Sequence, residues 1–343
     1  MAKAKVAING YGTIGKRVAD AVACQDDMEV IGIAKTRPNF EAVVAVKRGF
    51  DIYTLPESIE KFEKAGIKVA GTIEDMVKKA DIVVDCTPGK KGVANAEMYK
   101  KYGVKAIWQG GEGKDVAPVS FNSVANYDQA YGADYVRVVS CNTTGLCRVI
   151  YPLDKVYGVK KVRVTLIRRG GDPGDIKSGP IDGLILDPVT LPSHHGPDVN
   201  TIIPHINITS AAIKAPTTFM HVHVINMELE KECTADDVRL VLGGQSRINL
   251  IDDGITGTNQ IIEYGRDLCR PRNDMPENCV FKQSISVSDG ELYMFQAIHQ
   301  ESDVIPENVD CIRAMLKLEP SNVVSINKTN KAMGIGFCEQ KPL

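Results

Sequence analysis

The chain of 343 residues has few aromatic side chains, almost no net charge and no long apolar run. Aromatic residues make up 6% of it, and the formal net charge is -2. Because no basic stripe with interleaved aromatics is present, we expect no nucleic-acid partner, and the near-neutral charge gives no general attraction to anionic membranes. The sequence offers neither the roughly 20 apolar residues of a membrane-spanning helix nor a signal peptide. We therefore expect a cytoplasmic protein without a membrane partner.

The nine cysteines follow no metal-binding or disulfide pattern. Their number is odd and no pair has Cys-x-x-Cys spacing, so reduced thiols are expected. His194 and His195 come nearest to a histidine cluster, but adjacent residues rarely face one metal ion. We expect no metal site.

What the first part of the chain does have is an alternation of short apolar runs with helical patterns. The predicted strands are residues 6–8, 29–34, 67–70, 81–85 and 106–109, and the predicted helices are residues 13–24, 72–79 and 93–102. This alternation predicts an α/β domain with a doubly wound parallel sheet of the Rossmann type.

After Gly145 the pattern changes to longer runs with period-two alternation. The predicted strands are residues 161–168, 218–228 and 283–287, and a Gly/Pro-rich stretch covers residues 170–204. These features predict a second, α+β domain built on a mixed or antiparallel sheet. Residues 306–315 and 321–333 are predicted to be helical.

A glycine motif, Gly10-Tyr11-Gly12-Thr13-Ile14-Gly15, follows the first predicted strand and opens the first predicted helix. In this context Gly10 permits a tight turn, Gly12 lets the backbone approach a pyrophosphate, and Gly15 lets the helix pack closely on the strand. The motif predicts a dinucleotide site that includes Thr13 and Ile14.

The end of the second predicted strand indicates which dinucleotide binds. An NAD site usually has a carboxylate there for the ribose 2′-hydroxyl. This chain instead has Lys35, Thr36 and Arg37, and such groups suit a 2′-phosphate. We predict that NADP is preferred over NAD. The alternative is that Lys35 and Arg37 are ordinary solvated loop charges.

Two further segments, Thr87-Pro88-Gly89 and Gln109-Gly110-Gly111, follow predicted strands at the sheet edge where such folds bind their ligand. We expect Thr87 and Gly111 to line the path from the adenine ribose to the nicotinamide. Plain turn glycines are the alternative.

Cys141 lies between the apolar run 135–139 and a stretch that is predicted to begin a helix. At a helix N-terminus, unpaired N–H groups and the helix dipole stabilise a thiolate over a thiol. The same N–H groups can hold a developing oxyanion. Cys141 is therefore a candidate nucleophile, and the alternative is a small buried cysteine that packs at a strand end.

Several motifs together resemble those of glyceraldehyde-3-phosphate dehydrogenases, and the resemblance spans nearly the whole chain. The motifs are Asn9 to Gly15, Ser140-Cys141-Asn142-Thr143-Thr144-Gly145-Leu146, Arg168-Arg169, Ser193 to Asp198, Thr217 to His223, His299-Gln300-Glu301-Ser302 and Asn327 to Met333. In detail the chain is similar to the archaeal branch. Bacterial and eukaryotic members carry a catalytic histidine soon after the cysteine helix, whereas this chain has none between Cys141 and His194.

The resemblance implies reversible, phosphorylating oxidation of glyceraldehyde 3-phosphate to 1,3-bisphosphoglycerate by a homotetramer. It also implies that the C-terminal helix packs on the nucleotide domain, so that residues 1–139 with 303–343 form the dinucleotide-binding domain and residues 140–302 the catalytic domain. Cys141 would attack the aldehyde to form a thiohemiacetal, hydride transfer would leave a thioester, and inorganic phosphate would release the acyl phosphate.

A base must take the hydroxyl proton during hydride transfer, and histidine has a suitable pKa. His221 and His223 are two apart on a predicted strand and so share a face. The pattern alone does not choose between them, and either one can be a core histidine. The resemblance assigns the base to His221, with His223 as its support.

Two anions need donors, namely the substrate phosphate and the attacking phosphate. Arg168 and Arg169 end a predicted strand, and His194-His195-Gly196 lies in the Gly/Pro-rich stretch; a solvated strand end and a loop-packing role are the alternatives. The resemblance assigns Arg169, His195 and Gly196 to ligand contacts, Ser140, Cys141 and Asn142 to substrate, and Gln300 to the nicotinamide. Which arginine serves which phosphate stays open.

Two other functions compete with this one. A Cys-dependent dehydrogenase of the aspartate-semialdehyde type shares the fold and the chemistry, but its substrate lacks a phosphate and would not need paired anion donors. A nucleotide-sensing regulator is a more remote alternative, because the chain has a nucleophile, a base and anion donors together.

Overall fold

The computed structural model describes residues 2–88, 91–109, 111–171, 181–251 and 254–336. Contacts divide these residues into two compact units. The first comprises residues 2–140 and 305–333, and the second comprises residues 141–304 and 334–336.

The first unit alternates strands and helices from its start. Its elements are β1 (Ala4–Asn9), α1 (Thr13–Ala23), β2 (Met28–Ala34), α2 (Phe40–Lys47), β3 (Ile52–Thr54), α3 (Ile59–Lys64), β4 (Gly71–Thr72), α4 (Ile73–Val77), β5 (Ile82–Asp85), α5 (Lys91–Tyr102), β6 (Lys105–Trp108), β7 (Val119–Phe121) and β8 (Tyr135–Val138). Short 3-10 turns cover Pro56–Ser58, Lys114–Val116 and Tyr127–Ala130.

The eight strands form one parallel sheet in the order β4-β3-β2-β1-β5-β6-β8-β7. The order reverses direction at β1, so the chain crosses to the other side of the sheet after β4, and the predicted doubly wound architecture is confirmed. All four residues of β5 are buried, as expected for a central strand covered by helices on both faces.

One predicted strand in this unit is wrong. Residues 67–70 are not in the sheet, and the chain enters it only at Gly71, where β4 pairs with β3. The apolar alternation of residues 67–70 buries Ile67 but forms no strand ladder. The three-residue strand β3 has no distinct sequence pattern and was not predicted.

The second unit begins with α6 (Cys141–Tyr157) and β9 (Val159–Arg169). It continues with β10 (Ile185–Leu186), α7 (His195–Val199), β11 (Ile208–Ala215), β12 (His221–Leu229), α8 (Ala235–Gly243), β13 (Ile248–Ile251), α9 (Thr258–Asp267), β14 (Asn278–Phe281), β15 (Ser286–Ser288) and β16 (Glu291–Ile298). Its sheet has the order β10-β11-β9-β12-β16-β14-β13, and β15 also pairs with β16. Parallel pairs (β9 with β11, β13 with β14) stand beside antiparallel ones, which confirms the predicted mixed sheet.

Two predicted strands of this sheet start too early. The strand predicted from residue 218 begins at His221, because Met220 adopts a left-handed φ of 59° that interrupts extended pairing. The strand predicted over residues 283–287 starts as a 3-10 turn, Lys282–Ser284, and pairs only from Ser286.

The chain then returns to the first unit as α10 (Ile305–Met315) and α11 (Asn322–Met333). Arg313 on α10 is fully buried, and its guanidinium donates to Asp27 at 2.7 Å, to Gln25 at 2.6 Å and to Thr329 of α11 at 2.5 Å. These contacts fix both helices against the segment that leads into β2. The predicted helices at 306–315 and 321–333 are confirmed.

Within the described ranges, no helix is long and apolar enough to cross a membrane. The same residues contain no group of three or more His, Cys, Asp or Glu side chains arranged to hold a metal ion, and their cysteines are free thiols.

Candidate active site

The glycine turn between β1 and α1 has the geometry of a pyrophosphate cradle. Gly10 adopts φ +102°, and a Cβ on it would lie 2.9 Å from the backbone of Cys86. A Cβ on Gly15 would lie 1.8 Å from the Gly10 oxygen, whereas one on Gly12 would meet nothing within 4 Å. Open space at Gly12, the N-cap of α1, lets a ligand approach the helix N-terminus, where N–H groups favour an anion.

Buried Asp85 organises the neighbouring strand ends. Its carboxylate accepts hydrogen bonds from Tyr99 at 2.6 Å, from Asn95 at 2.8 Å, and from the Thr87 amide and hydroxyl at 2.9 and 2.5 Å. Asn9, at the end of β1, donates in turn to the Tyr99 hydroxyl at 2.6 Å. Thr87 is thus held beside the glycine turn, at the sheet edge where it was predicted.

Gly111 lies beyond the end of β6 with φ +89°. It is exposed, as expected for a residue at the sheet edge where a ligand would bind. Gly89 and Gly110, which belong to the same two predicted segments, lie outside the described residues. Thr13 and Ile14 occupy the first turn of α1.

The end of β2 differs from what the sequence suggested, because a carboxylate is present. Glu41 of α2 folds back to pair with Lys35, and Lys16 lies 3.2 Å from its other oxygen. Lys35 also donates to the Tyr11 carbonyl of the glycine turn at 3.0 Å. Burial acts to raise the pKa of Glu41, but Lys35 and Lys16 outweigh it and lower that pKa. The residues of the strand end itself therefore do not reveal this carboxylate, which α2 contributes.

Thr36 and Arg37, the other two residues predicted to contact a 2′-phosphate, are exposed at the same strand end. Lys35, in contrast, is largely covered, with 13% of its side chain exposed. The three residues therefore lie together, but Lys35 has a carboxylate partner.

Cys141 is the first residue of α6, as the sequence predicted. Its side chain keeps some exposed surface, yet burial raises the pKa of the thiol to about 12 and the Asp303 carboxylate acts in the same direction. Arg168 and Arg169 lower that pKa without reversing it. The expectation of a stabilised thiolate is thus wrong, because desolvation outweighs the charges and N–H groups that favour it.

Helix α6 lies unusually close to the mixed sheet at Gly145. A Cβ there would lie 2.5 Å from the Ile298 side chain. The Gly145 carbonyl accepts hydrogen bonds from Asn278 at 2.7 Å and from Gln296 at 3.2 Å. This close packing brings the first turn of α6 over β12.

His223 of β12 faces this helix and is fully engaged. Its Nε2 lies 2.9 Å from Asn142 Oδ1, and its Nδ1 lies 3.0 Å from the Gln296 amide nitrogen. Neutral His223 therefore carries its proton on Nε2. Burial lowers the pKa of His223 to about 3, so this ring acts as a fixed hydrogen-bonding group.

His195, the first residue of α7, is engaged in the same way. Its Nε2 lies 3.4 Å from Asn142 Nδ2, and its Nδ1 lies 3.0 Å from the Ser193 hydroxyl, which contacts Ser210 at 2.8 Å. Burial, followed by the neighbouring His194 and Arg168, lowers the pKa of His195 to about 2. The Gly196 amide donates to Ser210 at 2.9 Å, so it ties α7 to β11.

His221, two residues before His223 on β12, is also buried but differs from it. Its Nδ1 accepts the Arg169 backbone N–H at 3.1 Å, and no described residue is bonded to its Nε2. Because Nδ1 accepts, the neutral ring carries its proton on Nε2. Burial, together with Arg168 and Arg169, holds the pKa of His221 well below its usual range. His221 therefore presents a hydrogen-bond donor.

The two arginines at the end of β9 both act on this site. Arg168 lowers the pKa of Cys141, His195 and His221, so its charge lies near all three. Its guanidinium pairs with Asp187, which also lies 3.4 Å from the Lys214 ammonium. Arg169 acts on Cys141 and His221. The charges of both predicted arginine donors thus act on the predicted nucleophile.

Gln300 lies just after β16 and is buried. Its amide nitrogen donates to Glu301 at 2.8 Å, and Glu301 lies 2.9 Å from His299 Nε2. The Gln300 carbonyl oxygen is buried without a hydrogen-bond partner among the described residues. A carboxamide that needs an acceptor for its N–H groups fits this oxygen.

Several residues that shape the site carried no sequence signal. Glu41, Asp187 and Gln296 are polar residues in ordinary contexts, and only the fold brings them to the residues they contact. Ser140, predicted to bind substrate, is partly buried and directly precedes Cys141.

Two family models match the chain. One, described as glyceraldehyde 3-phosphate dehydrogenase, C-terminal domain, matches residues 140–295. The other, described as dihydrodipicolinate reductase, N-terminus, matches residues 4–110.

Among curated relatives, the chain is 66% identical to glyceraldehyde-3-phosphate dehydrogenase 2 of Methanosarcina acetivorans, over 98% of this chain and 100% of that protein. It is 64% identical to glyceraldehyde-3-phosphate dehydrogenase of Methanococcoides burtonii, over 98% of this chain and 100% of that protein. The protein of the same name from Methanothermus fervidus is 55% identical, over 96% of this chain and 98% of the relative.

Proposed function

Because the chain belongs to the archaeal branch of the glyceraldehyde-3-phosphate dehydrogenase family, we propose that it catalyses the reversible phosphorylating oxidation of D-glyceraldehyde 3-phosphate to 1,3-bisphosphoglycerate. The observation that carries the proposal is the arrangement around Cys141. A thiol at the start of α6, a histidine with an available ring nitrogen and two arginines lie in one unit.

Cys141 is the nucleophile of the proposed reaction. Its sulfur forms a bond to the aldehyde carbon and its proton leaves, so that the planar carbonyl becomes a tetrahedral thiohemiacetal. Loss of hydride from that carbon, with loss of the hydroxyl proton, gives a thioester. Inorganic phosphate then attacks the thioester carbonyl, the C–S bond breaks, and acyl phosphate and the thiol are released.

His221 is the proton carrier, and the hydrogen bonds of its neighbours support this choice. His195, His223 and His299 each have both ring nitrogens engaged. The Nε2–H of His221 suits an interaction with the substrate oxygen, which it would polarise during attack by sulfur. To accept the hydroxyl proton afterwards at Nε2, the neutral ring must carry its own proton on Nδ1 instead, and Nδ1 must then release the Arg169 N–H.

The two phosphates are assigned to the basic groups near Cys141. Arg168 and Arg169 supply the positive charge. The remaining proposed substrate contacts are Ser140, Asn142, His195 and Gly196. His195 and Gly196 act chiefly by fixing the start of α7, since their polar groups bond to protein.

The residues present fit a nicotinamide dinucleotide, which when bound supplies the hydride acceptor. Gly10, Gly12 and Gly15 with Thr13 and Ile14 would hold the pyrophosphate, and the open space at Gly12 supports this assignment. Thr87 and Gly111 would line the path from the adenine ribose to the nicotinamide at the edge of the parallel sheet. Gln300 would take the carboxamide with its unpartnered oxygen, and Arg169 would contact the cofactor as well as the substrate.

We propose that NADP is preferred over NAD, because Lys35, Thr36 and Arg37 lie together at the end of β2 and offer cationic and hydroxyl groups to a 2′-phosphate. Lys35→Asp should reverse the preference. Specificity constants of the wild type and this variant for both cofactors provide the test, and a wild type that favours NAD would contradict the proposal.

The reaction itself is tested by a coupled assay that varies phosphate and aldehyde. Turnover should require glyceraldehyde 3-phosphate and phosphate or arsenate, and aspartate semialdehyde should not replace the substrate.

Cys141→Ser should abolish turnover, and His221→Asn should lower hydride transfer severely while cofactor binding is kept. Near-normal turnover in either variant would reject that residue's role.

The proposed homotetramer is supported by two exposed apolar surfaces on the second unit. One is the face of the mixed sheet turned away from α6, where Ile167, Val224, Tyr293 and Phe295 are 37–47% exposed. The other is the segment of residues 181–191, with exposed residues Ile181, Leu184, Leu186, Val189 and Leu191. Patches of this kind mark protein interfaces, and a symmetric tetramer needs two different ones.

A further inference from the structure

A carboxylate occupies the end of β2 although the strand itself supplies none. Glu41 is the second residue of α2, and its two oxygens contact the ammonium groups of Lys35 and Lys16. All three side chains are largely covered, with 13–19% of their surface exposed. This contact is therefore a defined part of the fold.

The position of this carboxylate is that of the ribose end of a dinucleotide site. Lys35 joins Glu41 to the glycine turn by donating to the Tyr11 carbonyl at 3.0 Å. The Tyr11 amide donates to Ala34, the last residue of β2, at 3.1 Å. In doubly wound folds the group that contacts the ribose 2′ position lies at the end of this second strand, next to the glycine turn.

The two cofactors make opposite demands on Glu41. The 2′-hydroxyl of NAD can donate a hydrogen bond to a carboxylate, and such charge-assisted bonds are strong. The 2′-phosphate of NADP carries negative charge, so Glu41 repels it and competes for the same Lys35 ammonium. Lys16 and Lys35 outnumber the single carboxylate, and exposed Arg37 adds a third cation, so the local charge still admits a phosphate.

We propose that Glu41 sets the ratio of NAD to NADP affinity, by accepting the 2′-hydroxyl of NAD and by competing with the 2′-phosphate of NADP for Lys35. This inference rests on the proposed dinucleotide site. It makes the site usable by both cofactors, with the cations favouring NADP and Glu41 limiting that preference.

The test is the direct binding of NADP and NAD to full-length protein by titration calorimetry. Glu41→Gln keeps the shape of the side chain and removes its charge. NADP should bind more tightly and NAD more weakly, so that the ratio of the two dissociation constants shifts by about tenfold or more toward NADP, the effect expected from one charge-assisted hydrogen bond. Glu41→Asp keeps the carboxylate and should leave the ratio nearer to that of the wild type.

Asp20→Asn is the matched control, because Asp20 also lies in an ion pair of the same unit, with Arg48 at 2.7 Å. It should leave the ratio within about twofold of the wild type. A further binding measurement needs no substitution. Because 2′-deoxy-NAD lacks the hydroxyl that Glu41 accepts, it should bind the wild type about tenfold more weakly than NAD does.

The outcomes separate this inference from the proposed function. Failure of the wild type to bind either dinucleotide would reject the proposed site itself. If the wild type binds both cofactors but Glu41→Gln leaves their ratio unchanged, or weakens both equally, Glu41 only positions Lys35 and the inference is overturned. Equal affinity for NAD and 2′-deoxy-NAD would overturn it as well.

Discussion

Asn142 contacts two of the buried histidines near Cys141. Its side-chain oxygen accepts from His223 and its nitrogen donates toward His195. One amide thereby fixes the proton positions of two imidazoles, since each ring must present the complementary nitrogen. Replacing Asn142 by a group with only one kind of hydrogen-bonding atom would disturb both rings.

Asn142→Leu should reduce stability and activity together. Leucine leaves a buried nitrogen without a partner on each of two histidines, and each such loss costs about 1–3 kcal/mol. We expect the free energy of unfolding in urea to fall by about 2 kcal/mol or more, with turnover reduced. Asn226→Leu, on the opposite face of β12, is the control and should have a smaller effect. Equal unfolding curves for Asn142→Leu and wild type would contradict the network.

The protonation of Cys141 gives a pH prediction. Burial raises the pKa of this thiol to about 12, so below that pH the group is held as the thiol, and the thiolate fraction rises about tenfold for each pH unit. Alkylation of the ligand-free protein by iodoacetamide should be slower at pH 7 than that of N-acetylcysteine and should keep rising through pH 10. Cys141→Ser gives the background from other thiols, and a plateau below pH 8 would show a stabilised thiolate instead.

At the scale of elements, the buried guanidinium of Arg313 helps to hold α10 and α11 in the first unit. Arg313→Met removes the partner of Asp27 and leaves Gln25 and Thr329 without their donor. Breaking a buried pair from one side costs about 3–5 kcal/mol, and we expect a loss of that size in chemical unfolding followed by circular dichroism. Arg266→Met, which removes the exposed pair with Glu263, should cost less than about 1 kcal/mol. Similar losses in both variants would refute the special role of Arg313.

The elements that could be predicted are those whose pattern is local. The glycine turn, the strands β1, β2, β5 and β6 and the helix that begins at Cys141 follow from apolar runs bounded by glycine or helix signals. Strands β3, β11, β14 and β16 were not predicted, because their local pattern is weak and a strand is stabilised mainly by packing against its neighbours in the sheet, which the sequence does not show.

The same limit applies to the candidate site. Cys141 and the two strand histidines could be found by position, whereas Glu41 was missed because it belongs to the next helix and reaches Lys35 only when α2 folds beside β2. The residues next to Lys35 in sequence include no carboxylate at the strand end, whereas the fold places the Glu41 carboxylate beside it. Desolvation around Cys141 was missed for a related reason, since it depends on all the residues that pack around the sulfur.

For the whole molecule, the exposed apolar face of the mixed sheet predicts assembly. Tyr293 and Phe295 each leave 47% of their surface exposed, beside Val224 on the next strand. Phe295→Glu should place a charge in the proposed interface and shift the proposed tetramer toward smaller species in light scattering coupled to size-exclusion chromatography. Leu240→Glu, on helix α8 and 78% exposed, is the control and should leave the mass unchanged. If Phe295→Glu has the mass of an unchanged tetramer, the interface does not lie on this face of the sheet.

The buried carboxylate of Asp85 bears on how quickly the cofactor can exchange. Ordering a loop residue costs about 1–2 kcal/mol of backbone entropy, but Thr87 and Asn9 are already held through Asp85 and Tyr99. Thr87 and Asn9 therefore need no ordering step when a dinucleotide arrives. We expect association there to follow the frequency of collisions, since encounters with a pre-ordered surface are not slowed by a conformational change.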